Sequence, residues 1–388
     1  MISKKVEANV LFIGRSGVGK SSLLNYMFNR ELEKTGVGKP CTGMGVFPHS
    51  YKMKENFILH IYDSWGLEPD KAEKWRDLIL NEIRKHDKQK MSEWFNTIFY
   101  LLNGNSSRVE DFEIETLNSL TEQGNEIIVV FTHCKEGAME KCNGMKNRIL
   151  QKTKIRPEQI VYVNSVENKP LGQQNVEKSF GKEKLFSAIE DNLWRSLWKK
   201  VPYLLKQDGT ELLEKWADNE FQKIEAEVGW FTKIDKKAKE VYCDYQGVIV
   251  EITNKLNERI EDTNDYYNTV KTYLGREMGI ELVAPDKVRW KRELQTDEYF
   301  KKEIGQILQR FNLVKERKGV WECDVPEIFT KLAAFVASAK DRKRCLQESL
   351  TQFAKNANCK LEEEIDRITQ DFEVEMQREE QKRNKILI

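Results

Sequence analysis

Gly14-Arg15-Ser16-Gly17-Val18-Gly19-Lys20-Ser21 is the stretch that decides the fold. It matches the pattern G-x-x-x-x-G-K-[ST] at every fixed position, follows the apolar run 10–13 and opens a helical pattern over 21–29. A strand, a glycine-rich turn and a helix in this order direct backbone N–H groups and the positive end of the helix dipole at phosphate oxygens. The stretch therefore predicts a phosphate site, in which Lys20 reaches the outer phosphates and the Ser21 hydroxyl ligates Mg²⁺.

The whole motif and the residue after it are predicted to hold the nucleotide. These residues are Gly14, Arg15, Ser16, Gly17, Val18, Gly19, Lys20, Ser21 and Ser22. Arg15 has two interpretations: a positive charge offered to the phosphates from within the loop, particularly in a dimer, or a surface arginine without a phosphate contact.

A second element of the metal site is expected at the end of a neighbouring strand. The strand-like run 57–62 ends in Asp63-Ser64-Trp65-Gly66, so Asp63 is predicted to hold Mg²⁺ through water and the Gly66 amide to bond the γ-phosphate. A glycine-rich loop at 35–45 lies before it, and Thr42 is predicted as the second hydroxyl on Mg²⁺, with Thr35 or a plain flexible turn as alternatives. Lys20, Thr42 and Gly66 are the predicted catalytic residues.

The first 200 residues alternate apolar runs with helical patterns, which is typical of a parallel sheet covered by helices. Candidate strands lie at 9–14, 45–52, 57–63, 97–102, 126–132 and 159–164; candidate helices lie at 21–29, 71–86, 109–123, 145–152 and 183–200. The pattern predicts an α/β domain over 1–200: a mostly parallel six-stranded sheet with helices on both faces.

Beyond Pro202 the pattern becomes helical. Apolar residues recur every three to four positions, as in the run Ile249, Ile252, Leu256, Ile260, and strand-like alternation is nearly absent. The sequence predicts an all-α domain over 201–388, a bundle or stalk that responds to the nucleotide. The apolar segment 332–337 is interpreted as a buried helix or, alternatively, as an interface segment.

Composition narrows the functional classes. The 388 residues carry a net charge of +1 and are 33% charged but only 39% hydrophobic, which favours long helices with solvated faces and gives no electrostatic case for nucleic-acid binding. No run is long and apolar enough to span a membrane, and the first residues lack an apolar signal core. A cytoplasmic location is expected, with the inner face of the membrane as an alternative. Seven scattered cysteines without a C-x-x-C pair indicate ordinary reduced thiols.

The order and spacing of these motifs resemble the translation-factor-related GTPases, especially bacterial Era-like and dynamin-related members. The resemblance rests on the motif at 14–21, the run 36–42 and Asp63-Ser64-Trp65-Gly66-Leu67-Glu68, and it covers about residues 7–200. It implies that GTP and GDP are bound with Mg²⁺ and that GTP is hydrolysed. Relatives often place glutamine where Leu67 stands, and an apolar side chain cannot orient the attacking water.

The base-binding motif departs from the family pattern. Where the family has [NT]-K-x-D, this chain has Thr132-His133-Cys134-Lys135-Glu136 after an apolar strand. The resemblance implies base contacts from Thr132, His133 and Glu136, with Ser165 in a later loop. An amine at Lys135 cannot accept the guanine N–H donors, so Glu136 is the proposed substitute and adenine stays open as the base.

The function predicted on this basis is a GTP-binding and GTP-hydrolysing switch whose state is read by the helical domain. Two alternatives remain: a dynamin-like GTPase in peripheral contact with a membrane, and a nucleotide-binding scaffold with little hydrolysis. The expected partners are guanine nucleotide and either another protein or a second copy of the chain.

Overall fold

The computed structural model describes residues 6–28, 46–54, 57–64, 66, 71–135, 139–167, 178–229, 234–278 and 339–386. The strands are β1 (Val6–Gly14), β2 (Val46–Lys54), β3 (Phe57–Ser64), β4 (Phe95–Asn103), β5 (Ile127–Thr132) and β6 (Ile160–Tyr162). The α-helices are α1 (Lys20–Phe28), α2 (Ala72–Asp87), α3 (Asp111–Glu122), α4 (Asn143–Lys152), α5 (Lys182–Glu227), α6 (Ile234–Met278) and α7 (Ala339–Ile386). Short 3₁₀ helices lie at Met91–Glu93, Met139–Cys142 and Pro157–Gln159.

The six strands form one sheet in the order β2-β3-β1-β4-β5-β6. Only β2 and β3 pair antiparallel, whereas β1 with β3, β1 with β4, β4 with β5 and β5 with β6 pair parallel. This confirms the predicted fold class. The carboxyl ends of parallel strands meet at one edge of a sheet, so Gly14, Asp63 and Thr132 are brought to the same edge although they are far apart in sequence.

Both faces of the sheet are covered by helices. On one face, Leu11 and Ile13 of β1 belong to a buried cluster with Trp75, Ile79 and Ile83 of α2. α3 and α4 contribute Leu117, Leu120, Met145 and Ile149 to the same cluster. Because successive side chains of a strand alternate, Val10 and Phe12 are buried toward the other face. There Phe28 of α1 stacks on Tyr51 of β2 at 4.3 Å and meets Phe186 of α5 edge-on at 6.0 Å.

Helix α5 is longer than the sequence pattern predicts. The pattern indicates an end near residue 200 because Pro202 lacks an N–H and disfavours a helix interior. The helix instead continues to Glu227 with Pro202 inside it. Val201, Leu204 and Leu205 around the proline are all at most 2% exposed, and burial of these side chains offsets the lost hydrogen bond.

The chain divides into two compact units, the first formed by residues 1–201 and 262–284 and the second by 202–261 and 285–388. The last part of α6 therefore belongs to the first unit. There the Tyr266 hydroxyl donates to the Glu7 carbonyl at 2.7 Å, and the Tyr273 ring stacks on Phe57 at 5.1 Å. Nothing in the sequence pattern predicts that the end of α6 packs within the first unit.

The described part of the second unit is helical except at residues 228–229. The rings of Trp216, Tyr245 and Phe353 pack together at centroid distances of 4.6–6.0 Å, so α5, α6 and α7 share a core. The apolar stripes seen in the sequence face that core: Ile249, Ile252, Leu256 and Ile260 of α6, and Leu346, Leu350, Ala357, Leu361 and Ile365 of α7 are buried. Among the helices that are described, none combines the length and apolar composition needed to cross a bilayer.

Candidate nucleotide-binding site

The predicted phosphate loop lies between β1, which ends at Gly14, and α1, which begins at Lys20. Within it, the Val18 amide donates to the Arg15 carbonyl at 3.3 Å. Gly17 and Gly19 have φ values of +73° and +93°, a left-handed region that side chains with a Cβ rarely adopt. The loop thus has the backbone that the glycine spacing predicts, and it opens directly into a helix N-terminus.

Lys20 lies inside this loop. Its side chain is 9% exposed, and Nζ donates to the carbonyl oxygens of Gly14 at 3.2 Å and Arg15 at 3.3 Å. Burial lowers the pKa of Lys20, and the nearby charge of Asp63 opposes that shift. The amine is therefore held at the centre of the loop, in a position where an anion would stabilise its charged form.

Asp63 lies at the end of β3, opposite Phe12 of β1 in the parallel register. Burial raises its pKa to about 6, with Lys20 acting in the opposite direction. Its Oδ1 atom is buried and has no hydrogen-bond partner among the described residues. A buried carboxylate oxygen left unpaired is costly unless a cation or a water on that cation completes it. The donor set of Asp63 and Ser21, a carboxylate and a hydroxyl, suits Mg²⁺.

Gly66 makes a close approach to the phosphate loop. A Cβ on Gly66 would lie 2.6 Å from the Ser16 Cα, so only glycine fits at this point without a backbone shift. The two predicted phosphate-side elements, 14–21 and 63–66, are therefore in direct contact.

On the base side, the loop after β5 leans on the phosphate loop. The Thr132 hydroxyl is buried and donates to the Val18 carbonyl at 2.7 Å, so it supports the phosphate loop from beneath. His133 has φ +54°, and its Nε2 lies 2.9 Å from the point where a Gly19 Cβ would stand. The Nε2 edge of the His133 ring thus lies against Gly19, whereas Lys135 is exposed.

Ser165 lies in the loop after β6. The preceding residue, Asn164, forms a two-way backbone bridge with Phe180 at 3.0 and 3.2 Å. The Cys134 amide donates to the Val163 carbonyl at 3.1 Å, which joins the loops after β5 and β6. Ser165 therefore lies at the same edge of the sheet as Thr132 and His133.

The structure brings together most of the predicted residues that it describes: Gly14, Arg15, Ser16, Gly17, Val18, Gly19, Lys20, Ser21, Ser22, Asp63, Gly66, Thr132 and His133. Thr42, its alternative Thr35, Leu67 and Glu136 lie outside the described residues, and their roles stay predictions.

Three residues around the Arg15 side chain were missed by the sequence reasoning. The Arg15 guanidinium carbon lies 5.6 Å from the ring centroid of Phe112 in α3, and the charges of Arg15 and Glu113 both act on Tyr100. No spacing rule connects a residue of the phosphate loop with residues nearly a hundred positions away.

Comparison with known proteins agrees with this geometry. Residues 9–133 match the model of the family described as 50S ribosome-binding GTPase. None of the curated proteins matches the chain. The matched residues include the phosphate loop, most of strand β1 and strands β2 to β5 of the sheet.

Among solved structures, the chain is similar to Toc33 from Arabidopsis thaliana. The Toc33 complex with GDP and Mg²⁺ is 16% identical, with a TM-score of 0.35, and the match covers 48% of this chain and 84% of that one. The Toc33 complex with Mg²⁺ and GMPPNP is 14% identical, with a TM-score of 0.36 and coverage of 48% and 85%.

Proposed function

We propose that this chain binds GTP with Mg²⁺, hydrolyses it, and acts as a switch whose nucleotide state is read by the helical second unit. The observation that carries the proposal is the buried Lys20 and Asp63 pair at the phosphate loop. Burial moves both groups toward their neutral forms, and Asp63 Oδ1 lacks a partner among the described residues. A bound polyanion and a divalent cation would restore both charges.

Each residue has a distinct part in this proposal. Lys20 and the amides of 15–20 would bind and orient the phosphates, while Ser21 and Asp63 would hold Mg²⁺. Mg²⁺ supplies charge neutralisation for the β- and γ-phosphates. The Gly66 amide is proposed to sense whether the γ-phosphate is present, which is supported by the close approach of Gly66 to Ser16. Thr42 is proposed as the further hydroxyl ligand.

Guanine is the base we propose, with His133 over Gly19 as the base-side wall and Glu136 in place of the usual aspartate. Support for this choice comes from the matched GTPase family, while Lys135 at the aspartate position leaves adenine as an arm of the test.

Calorimetric titration of the full chain with GTP, GDP and ATP in Mg²⁺, followed by a phosphate-release assay, tests the proposal. We expect GTP and GDP to bind at least about tenfold more tightly than ATP, a difference of about 1.4 kcal/mol, and phosphate to be released from GTP. If ATP binds as tightly as GTP, the assignment of guanine as the base is wrong. Binding without phosphate release would favour the nucleotide-binding scaffold, and absence of any binding would overturn the proposal.

A further inference from the structure

The Arg15 side chain leaves the phosphate loop and docks on the first turn of α3. Its guanidinium carbon lies 5.6 Å from the centroid of the Phe112 ring. A guanidinium within about 6 Å of an aromatic face is attracted by the ring quadrupole. The charge that the loop offers at Arg15 is thus directed toward a helix of the same domain.

Glu113 adds an electrostatic attraction at the same place. The residue is 2% exposed, and its Oε2 accepts the Glu110 amide at 2.8 Å, which caps the start of α3. Burial raises the pKa of Glu113, whereas the charge of Arg15 lowers it. Tyr100 lies within the same group of charges, and its buried hydroxyl has no hydrogen-bond partner among the described residues. The Arg15 side chain therefore contacts the Phe112 ring, and its charge acts on a largely desolvated carboxylate in the same helical turn.

The backbone of Arg15 is hydrogen-bonded to other residues of the phosphate loop. Its carbonyl oxygen accepts both the Lys20 ammonium and the Val18 amide, each at 3.3 Å. The next residue, Ser16, is the one against which Gly66 fits. One residue therefore connects α3, through its side chain, to the lysine that the proposed function places on the phosphates.

We infer that Arg15 is a positioning residue: by docking on Phe112 it holds the carbonyl that orients Lys20, and it makes nucleotide affinity depend on the first turn of α3. The inference rests on the proposed function for its nucleotide readout. It assigns to Arg15 a role in ground-state binding, and it removes Arg15 from the groups that stabilise charge on the transferred phosphoryl group.

The test is a double-mutant cycle on the full chain with R15A, F112A and the double variant, read by Mg²⁺·GDP affinity and by steady-state GTP hydrolysis. Each single variant is expected to weaken GDP affinity about fivefold and to raise KM by a larger factor than it lowers the turnover rate. The double variant is expected to bind GDP as tightly as the weaker-binding single variant, because both substitutions remove the same contact. Phe112→Tyr keeps the ring and is expected to retain wild-type affinity.

Arg108→Ala is the matched control. Arg108 is 75% exposed and pairs with Glu110 near the same turn without reaching the phosphate loop, so its removal should leave GDP affinity unchanged. If the turnover rate of R15A falls by about 100-fold or more while GDP affinity is unchanged, the inference is overturned, because that is the signature of a charge acting in the transition state. Additive losses in the cycle would overturn it as well.

Two readouts separate this inference from the proposed function. If the wild-type chain binds no nucleotide, the proposed function fails and the role of Arg15 in nucleotide binding fails with it. If the wild-type chain binds and hydrolyses GTP but F112A matches it, the proposed function stands and only the inference fails. The same cycle read by urea unfolding of the nucleotide-free chain should show coupling between Arg15 and Phe112, and independence of the two would contradict the docking itself.

Discussion

The charged groups of the candidate nucleotide site and those of the helical second unit differ in how far neighbouring charges compensate them. At the nucleotide site, burial lowers the pKa of Lys20 and raises that of Asp63 to about 6, so each group is pushed toward its neutral form. In the helical unit, Lys223 donates to Glu220 at 2.6 Å and to Asp244 at 2.7 Å. These bonds raise the pKa of Lys223 and lower that of Asp244, although burial raises that of Glu220.

The two sets of charges have different roles. Charges that complete one another, as Asp208 and Arg259 do at 2.5 Å, fix the register of packed helices. At the candidate nucleotide site, the buried Oδ1 of Asp63 has no partner among the described residues, and a bound cation would compensate its charge. The charges of this chain thus include pairs that stabilise helix packing and a carboxylate that favours ligand binding.

Lys20→Ala should give the largest effect of these substitutions. The effect should be on nucleotide affinity and not on the stability of the chain. Truncating a buried partner of a charged ligand costs about 2–5 kcal/mol, so we expect nucleotide affinity to fall by about 100-fold or more. Stability of the nucleotide-free chain should stay within about 1 kcal/mol of wild type, because burial already penalises this amine. Calorimetry and urea unfolding check the two parts. As a control, Lys223→Ala should lower stability and leave affinity unchanged.

Arg259→Ala should show the reverse, with loss of stability and no change in nucleotide affinity. The Asp208 carboxylate it pairs with is 6% exposed, and Lys255 at 3.5 Å compensates only in part. Leaving a buried charge unpaired costs about 3 kcal/mol, which urea unfolding would detect. Arg367→Ala removes an exposed ion pair to Glu364 within one helix, and its expected cost is below about 0.5 kcal/mol. Equal losses in the two variants would show that buried pairing is not what stabilises this unit.

Asp63→Asn should stabilise the nucleotide-free chain. It should also remove the dependence of nucleotide binding on Mg²⁺. The folded pKa of about 6 lies above the unfolded value of 3.8, so ionisation of the carboxyl destabilises the folded state increasingly as the pH rises between these two values, and fully above the higher one. After discounting for partial exposure, we expect a gain of about 2 kcal/mol at pH 7.5 that disappears as the pH falls toward 4. Thermal unfolding across this range measures it.

The control for that variant is Asp244→Asn, whose carboxyl has a lowered pKa and is paired with Lys223. Its loss should destabilise the chain by at most about 1 kcal/mol at neutral pH, because the pair is partly exposed. A destabilised Asp63→Asn variant would mean that Asp63 is a structural group, and the contrast between the two regions would fail.

The smallest pair of effects compares two glycines with open space around them. A Cβ would meet no atom within 4 Å at either Gly17 or Gly247. Gly17 has φ +73°, whereas Gly247 lies inside α6. Alanine should therefore destabilise the chain by about 1 kcal/mol at Gly17 and stabilise it by about 1 kcal/mol at Gly247. Thermal unfolding of both variants checks the opposite signs.

The sheet was predictable because its strands are buried runs bounded by turns. The runs predicted at 97–102 and 126–132 correspond to Phe95–Asn103 and Ile127–Thr132. The helix after residue 182 was predicted to end too early, because a local rule on proline takes no account of the apolar side chains packed around Pro202. The return of residues 262–278 to the first unit is a long-range contact that no local period signals.

Within the site, the phosphate loop and the aspartate of the neighbouring strand could be predicted from the amino-acid sequence. A turn of glycines between a strand and a helix is a local structure whose residues are consecutive, so spacing alone reveals it. Only the tertiary structure decided that Lys20 and Asp63 form a buried and incomplete pair, that Thr132 supports Val18, and that Arg15 turns toward α3. These properties depend on desolvation and on partners from other strands and helices, and burial is a property of the packed chain.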